Sequence, residues 1–131
     1  MKLIPYLHFN GNCEEALNTY IDILGGSGQV VSRFGDNPSF QVPDDFKNKV
    51  MHASMIFDDN VIMMSDTTRR IYQGNGAVMS INDGNEERIR LIFEKLSASG
   101  EVTMPLEKQF WGSLFGQVID KFGIHWMLSC P

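Results

Sequence analysis

The chain has 131 residues, 43% of them hydrophobic and 21% charged, which is the composition of a single ordinary globular domain. Its net charge of −5 argues against the concentrated Lys/Arg surface that binds nucleic acid. No apolar run is long enough to span a bilayer, and Met1–Tyr6 lacks the apolar stretch of a signal peptide. We therefore expect a cytoplasmic protein with no nucleic-acid or membrane partner, in which Cys13 and Cys130 are reduced thiols.

The first elements in chain order are a strand over Leu3–Phe9 and a helix that begins near Asn12. Asn12 followed by Glu15 is typical of a capping box, and the apolar spacing gives the helix one buried stripe of Ala16, Leu17, Tyr20 and Leu24. A short strand, a surface loop and a hairpin follow, over Gln29–Phe34, Asp36–Lys49, and His52–Phe57 with Val61–Ser65.

The same order of elements returns in the second part of the chain. Asp83 with Glu86 predicts a second helix start, and an offset of 72 places Leu17 on Ile89 and Leu24 on Leu96. For the last strand of each part an offset of 63 pairs Met64 with Met127. The strands of this second part are predicted over Ala77–Ile81, Glu101–Met104, Leu114–Ile119 and Ile124–Cys130.

The chain is therefore predicted to be an α+β protein made of two βαβββ repeats, one over about residues 1–66 and one over about 76–131, with a link over about 67–75. Together the repeats are expected to form a half-open, barrel-like mixed sheet around a cavity, within a single domain over residues 1–131. Unpaired edge strands and an apolar rim favour a homodimer.

A set of ordered motifs resembles the PhnB-like group of the vicinal oxygen chelate superfamily, which includes glyoxalase, bleomycin-resistance and dioxygenase proteins. The residues that carry the resemblance are Pro5–Asn12, Leu24–Gly26, His52–Ala53, Ile62–Asp66, Phe110–Gly112, Phe115–Gly116, Asp120–Gly123 and Trp126–Met127. The group is also labelled as a 3-demethylubiquinone 3-methyltransferase-like domain. The resemblance implies the glyoxalase/bleomycin-resistance fold, a homodimer and, in the enzymes of the superfamily, a divalent metal held by four strand residues.

The internal repeat shows where those four ligands would fall: at Met64, at Met127, near Ile4 or Tyr6, and near Gly76 or Val78. None of these is His, Gln or Glu, and a thioether is a poor ligand for the metals of this superfamily. We therefore expect no metal and no other cofactor. Methyl transfer is not expected either, because Gly25-Gly26-Ser27-Gly28 follows a helix instead of opening one.

The candidate ligand pocket is apolar and aromatic, with three histidines nearby. His8 shares a strand face with Tyr6, and His125 shares one with Met127. For His52 a two-residue turn predicts the helix side and a three-residue turn the side of Met64. Trp111 is a candidate stacking wall for a flat ligand, and the full candidate set is Tyr6, His8, His52, Met64, Trp111, Phe115, His125 and Met127.

These observations favour a metal-free protein that binds a small apolar or aromatic molecule, and they give no catalytic residue. Two alternatives stay open. One is a metal-dependent glyoxalase- or dioxygenase-like enzyme whose ligands are His8, His52 and His125. The other is a resistance protein that sequesters an antibiotic.

Overall fold

The computed structural model describes residues 1–131, which form two compact units, Met1–Tyr72 and Gln73–Pro131. The first unit contains strand β1 (Tyr6–Phe9), helix α1 (Cys13–Leu24) and strands β2 (Ser27–Arg33), β3 (Val50–Phe57) and β4 (Asn60–Asp66). Its four strands form one mixed sheet in the order β1-β4-β3-β2, in which β1 runs parallel to β4 and the other pairs are antiparallel.

The second unit repeats this plan. It contains β5 (Met79–Asn82), α2 (Glu86–Ser97), β6 (Glu101–Lys108), β7 (Leu114–Ile119) and β8 (His125–Cys130), with the strand order β5-β8-β7-β6. The predicted α+β architecture of two βαβββ repeats is therefore confirmed. The strands belong to two separate four-stranded sheets, neither of which is closed. Neither helix has the length and apolar composition needed to cross a bilayer.

Each sheet is covered on one face by the helix of its own unit. In the first unit the buried stripe of α1 includes Leu17 and Tyr20, and it packs against Ala53, Met55 and Met64 of the sheet, none of which is exposed. In the second unit the covered residues are Leu114, Val118, Trp126 and Leu128. Because side chains alternate along a strand, the residues between these point to the opposite face of each sheet.

The helix starts differ from the predicted capping boxes. Asn12 precedes α1 but its side chain makes no capping bond. The buried carboxylate of Asp66 takes that role from β4, because its Oδ1 accepts from the N–H groups of Gly11 (2.8 Å) and Cys13 (3.0 Å). At α2 the cap is Asn85 rather than Asp83, and its side chain accepts from the N–H of Arg88.

Two strand bounds also differ. The strand predicted from Leu3 begins only at Tyr6, and Leu3 is fully exposed. The strand predicted over Glu101–Met104 continues to Lys108, across Pro105. Proline is tolerated there because β6 is an edge strand, and the ladder with β7 is irregular around it.

The pairing also corrects the internal alignment of the last strands. Leu7 pairs with Met64 in the first sheet, and Met79, the equivalent of Leu7, pairs with Trp126 in the second. Met64 therefore corresponds to Trp126, 62 positions further on, and not to Met127. A one-residue error of this kind exchanges the two faces of a strand, and this error affects the candidate site.

Candidate functional site

The face of the first sheet that α1 leaves uncovered carries a cluster of ring side chains. We call this the first open face and define it by Tyr6, His8, His52, Met63 and Ser65. The pairings Tyr6 with Met63 and His8 with Ser65 place these side chains on one side of the sheet, opposite to Leu7 and Met64. Tyr6 is 42% exposed, which leaves much of its ring available to a ligand.

Two hydrogen bonds organise this cluster. The Tyr6 hydroxyl lies 3.0 Å from Nδ1 of His52, and the buried Ser65 hydroxyl lies 3.3 Å from Nδ1 of His8. The Tyr6 ring stacks on His52, with 5.8 Å between ring centroids and 23° between planes. The Tyr6 ring also lies next to the His8 ring, with 5.2 Å between ring centroids. The structure thus brings together three of the predicted pocket residues, with Tyr6 between two imidazoles.

The hydrogen bonds also define what the imidazoles present to a ligand. Nδ1 of each ring has a hydroxyl partner, whereas Nε2 of each has no partner in the chain. When the hydroxyls donate to Nδ1, both neutral imidazoles carry their proton on Nε2 and act there as donors. The first open face then combines flat apolar ring surface with two N–H groups suited to an acceptor oxygen.

Met64 lies on the other side of this sheet from the cluster. It is fully buried and pairs with Ala53, another residue of the α1-covered face. The turn between β3 and β4 has two residues, Asp58 and Asp59, because Phe57 pairs with Asn60. His52 is therefore opposite to Met64, as a two-residue turn predicts. The pocket placement predicted for Met64 is wrong, because Met64 faces the helix, whereas His52, whose side the sequence left open, lies on the uncovered face.

The second sheet has its own uncovered face, which carries Phe115, His125 and Met127. Gln117 pairs with Met127, and Phe115 pairs with Ser129, so these residues lie opposite to the buried Trp126 and Leu128. Trp111 belongs to the tip between β6 and β7, is 54% exposed, and contacts the Phe115 ring at 6.3 Å. Phe110 beside it is 98% exposed. Neither ring therefore lies in the hydrophobic core.

Trp126 is a core residue of the second unit, as its alternation with Met127 predicts. Its indole N–H donates to Oδ2 of the buried Asp120 at 2.9 Å. Oδ1 of the same carboxylate accepts from the N–H groups of Phe122 and Ile124 in the turn before β8. The Asp120 carboxylate thus stabilises the turn before β8 and holds the Trp126 indole in the core.

The ligand set of a metal-dependent member of the superfamily does not fit these residues. No group of three or more His, Cys, Asp or Glu side chains is placed to hold a metal ion. The first open face contributes two imidazoles, His8 and His52, and the central strands of both sheets bear no carboxylate on their uncovered faces.

The thiol of Cys13 is buried in the core of the first unit and is not placed to act as a nucleophile. Cys13 is fully buried at the start of α1, and burial, with Asp66 and Glu14 nearby, raises the pKa of its thiol to about 12.

The glycines after α1 form its end, since the N–H of Gly25 donates to the carbonyl of Ile21. This is the helix C-terminus that the sequence predicts for Gly25–Gly26.

Two features in or next to the first open face were not predicted from the sequence. Met63 and Ser65 occupy this face in place of Met64, and the Asp58-Asp59 turn fixes only which residues of β3 and β4 share a side, not which side the helix covers. Asn10, two residues after His8, binds the turn that follows β4, because its side-chain amide donates to the carbonyls of Thr67 and Arg69. Nothing in the local sequence indicates this contact, which joins residues far apart in the chain.

Comparison with known proteins gives one family over nearly the whole chain. The family described as 3-demethylubiquinone-9 3-methyltransferase matches residues 1–129. Protein YjdN from Escherichia coli K12 is 31% identical over 144 residues, covering 98% of this chain and 95% of that protein.

Solved structures match the same nearly complete length of the chain. Protein PA1353 from Pseudomonas aeruginosa is 36% identical with a TM-score of 0.87, over 99% of this chain and 97% of its own. The PhnB protein from Bacillus cereus is 26% identical with a TM-score of 0.82, over the full length of both chains. A member of the glyoxalase/bleomycin resistance protein/dioxygenase superfamily from Sphaerobacter thermophilus, at 16% identity and a TM-score of 0.59, shares the fold, over 100% of this chain and 98% of its own.

Proposed function

The chain belongs to the 3-demethylubiquinone-9 3-methyltransferase family, the PhnB-like group of the vicinal oxygen chelate superfamily, and on that premise we propose that it binds a small flat molecule without the superfamily's metal. The ligand is apolar or aromatic and carries an acceptor oxygen. Its binding surface is the first open face. The role of this face is binding, and none of its residues serves methyl transfer.

The observation that carries this proposal is the placement of Tyr6 between His8 and His52 on an uncovered sheet face. Aromatic rings on the open side of a sheet offer a flat ligand more apolar contact than scattered aliphatic side chains do. A rigid strand-borne cluster also loses little conformational freedom when a ligand binds. The hydroxyl–imidazole bonds of Tyr6 and Ser65 hold both rings in place before the ligand arrives.

Titration calorimetry with 2-naphthol, a neutral planar phenol, tests the proposal. Replacing Tyr6 with Ala removes the central ring, and we expect the affinity to fall about tenfold, since an aromatic pair contributes about 0.5–1.5 kcal/mol beyond its buried area. Tyr6→Phe keeps the ring and loses only the bond to His52, so its affinity should fall less. Tyr72→Ala removes an 82% exposed tyrosine of the same unit and is the matched control.

Equal affinities of the wild type, Tyr6→Ala and Tyr72→Ala would show that 2-naphthol does not bind on the first open face. Metal analysis tests the second part of the proposal. A stoichiometric transition metal in the purified protein that is lost in His8→Ala would contradict metal-free binding and favour the enzyme alternative.

A further inference from the structure

Arg69 is one of two cations of the first unit whose side chains have no partner, and the other, Lys2, lies in the exposed segment before β1. Arg33 binds Glu14, Lys47 binds Asp44, and Lys49 donates to the carbonyl of Gly11. Arg70 lies over the Tyr72 ring at 4.9 Å. The guanidinium of Arg69 is exposed and takes part in no ion pair or hydrogen bond of the chain. The protein has a net charge of −5, so acidic side chains are plentiful, yet none of them pairs with Arg69.

The backbone that carries Arg69 is nevertheless well fixed. Its N–H donates to the Thr67 hydroxyl (3.0 Å), and its carbonyl accepts from the Asn10 side chain (3.1 Å). Asn10 also binds the carbonyl of Thr67, whose own N–H donates to Phe9. These bonds fix the backbone position of the exposed Arg69 side chain. Less conformational freedom is therefore lost when the side chain becomes ordered on a ligand.

The same hydrogen bonds place this turn at one end of the first open face. Asn10 follows His8 by two residues, which corresponds to about 7 Å of strand, and β4 leads directly from Ser65 and Asp66 into Thr67. The Arg69 backbone therefore lies beyond the His8 end of the cluster, within an arginine side chain's reach of a ligand that rests on Tyr6 and His8. No carboxylate on β1, β3 or β4 shares that face to compete for the guanidinium.

We propose that the ligand of the first open face is a planar molecule with an anionic group, a carboxylate, and that Arg69 binds this group while Tyr6 and His8 contact the ring. The inference rests on the proposed function and adds the charge of the ligand to it. A guanidinium suits this role because its planar fork matches a carboxylate with two parallel hydrogen bonds.

A pair of matched probes tests the inference: 2-naphthoate, which is anionic, and 2-naphthol, which is neutral and has the same ring system. The wild type should bind 2-naphthoate more tightly, and Arg69→Gln should weaken 2-naphthoate about tenfold while leaving 2-naphthol unchanged. Arg69→Lys keeps the charge without the fork and should retain part of the preference. Arg70→Gln, the control for net charge, should leave both affinities unchanged.

The preference for 2-naphthoate should also shrink as salt is raised, because an exposed ion pair is screened. Binding of 2-naphthol with no preference for 2-naphthoate, or equal losses in Arg69→Gln and Arg70→Gln, overturns the role of Arg69 and leaves the proposed function standing. Failure of the wild type to bind either probe overturns both.

Discussion

Asp66 is the residue whose replacement tests the structural reasoning most directly. Its carboxylate is buried (2% exposed) and accepts three backbone N–H groups, from Gly11 at 2.8 Å, Cys13 at 3.0 Å and Val50 at 2.9 Å. These bonds join the end of β4 to the start of α1 and the start of β3. One side chain therefore satisfies donors from two other segments, which lie 16 and as many as 55 residues from Asp66 in the sequence.

Replacement of Asp66 by Asn keeps the shape but puts an NH₂ group in the place of one oxygen. If the remaining oxygen faces Gly11 and Cys13, the NH₂ group meets the N–H of Val50, and a buried donor without an acceptor costs about 1–3 kcal/mol. The other two bonds lose their charge assistance, at about 1 kcal/mol or less each. We expect Asp66→Asn to lower the free energy of unfolding by about 3 kcal/mol in total.

Urea unfolding followed by far-UV circular dichroism measures this loss. The unfolding curves of variant and wild type are fitted with the same denaturant slope (m-value). Asp45→Asn is the control, because Asp45 is exposed and the same change of charge there should cost less than about 0.5 kcal/mol. A loss below about 1 kcal/mol in Asp66→Asn would refute the claim that this carboxylate holds the three segments together.

Two further predictions concern the first unit. Gly26→Ala should destabilise the protein more than Gly25→Ala does, as measured by thermal unfolding: both glycines have positive φ (+81° and +82°), but an added Cβ at Gly26 meets the Ile56 carbonyl, whereas at Gly25 it meets nothing. Similar melting temperatures for the two variants would contradict the close approach of Gly26 to the β3 backbone. The hydrogen bonds from Arg33 hold the pKa of Glu14 below its usual value, so the stabilisation from this pair is complete above the ordinary glutamate pKa and is lost as the pH falls through the lowered one. The wild type should thus lose more stability than Glu14→Gln on acidification from about pH 6 to pH 3, and parallel losses would show that the pair contributes nothing.

The elements of the fold could be predicted from the sequence because their signals are local. The stripe from Ala16 to Leu24 and its repeat from Ile89 to Leu96 have helical spacing, and each lies between strand-forming runs. Turn residues such as Asp58-Asp59 and Asp120–Gly123 mark the hairpins. Local periodicity is enough to give element type and order, and here duplication gave the architecture as well.

The candidate site was predicted only in part. Tyr6 and His8 were placed on one face correctly, because alternation within a single strand is local. Met64 was placed on the wrong face, because its side depends on how β4 pairs with β1 and β3, and a shift by one residue reverses every side chain.

The sequence by itself determined two βαβββ repeats, their order and the family resemblance, since each of these depends on neighbouring residues or on the recurrence of a pattern. Only the tertiary structure decided that His52 reaches Tyr6, that Asp66 caps α1, and that Asn10 fixes the turn bearing Arg69. Each of these contacts joins residues about 46 to 59 positions apart, and strand register fixes them, so no local pattern records them.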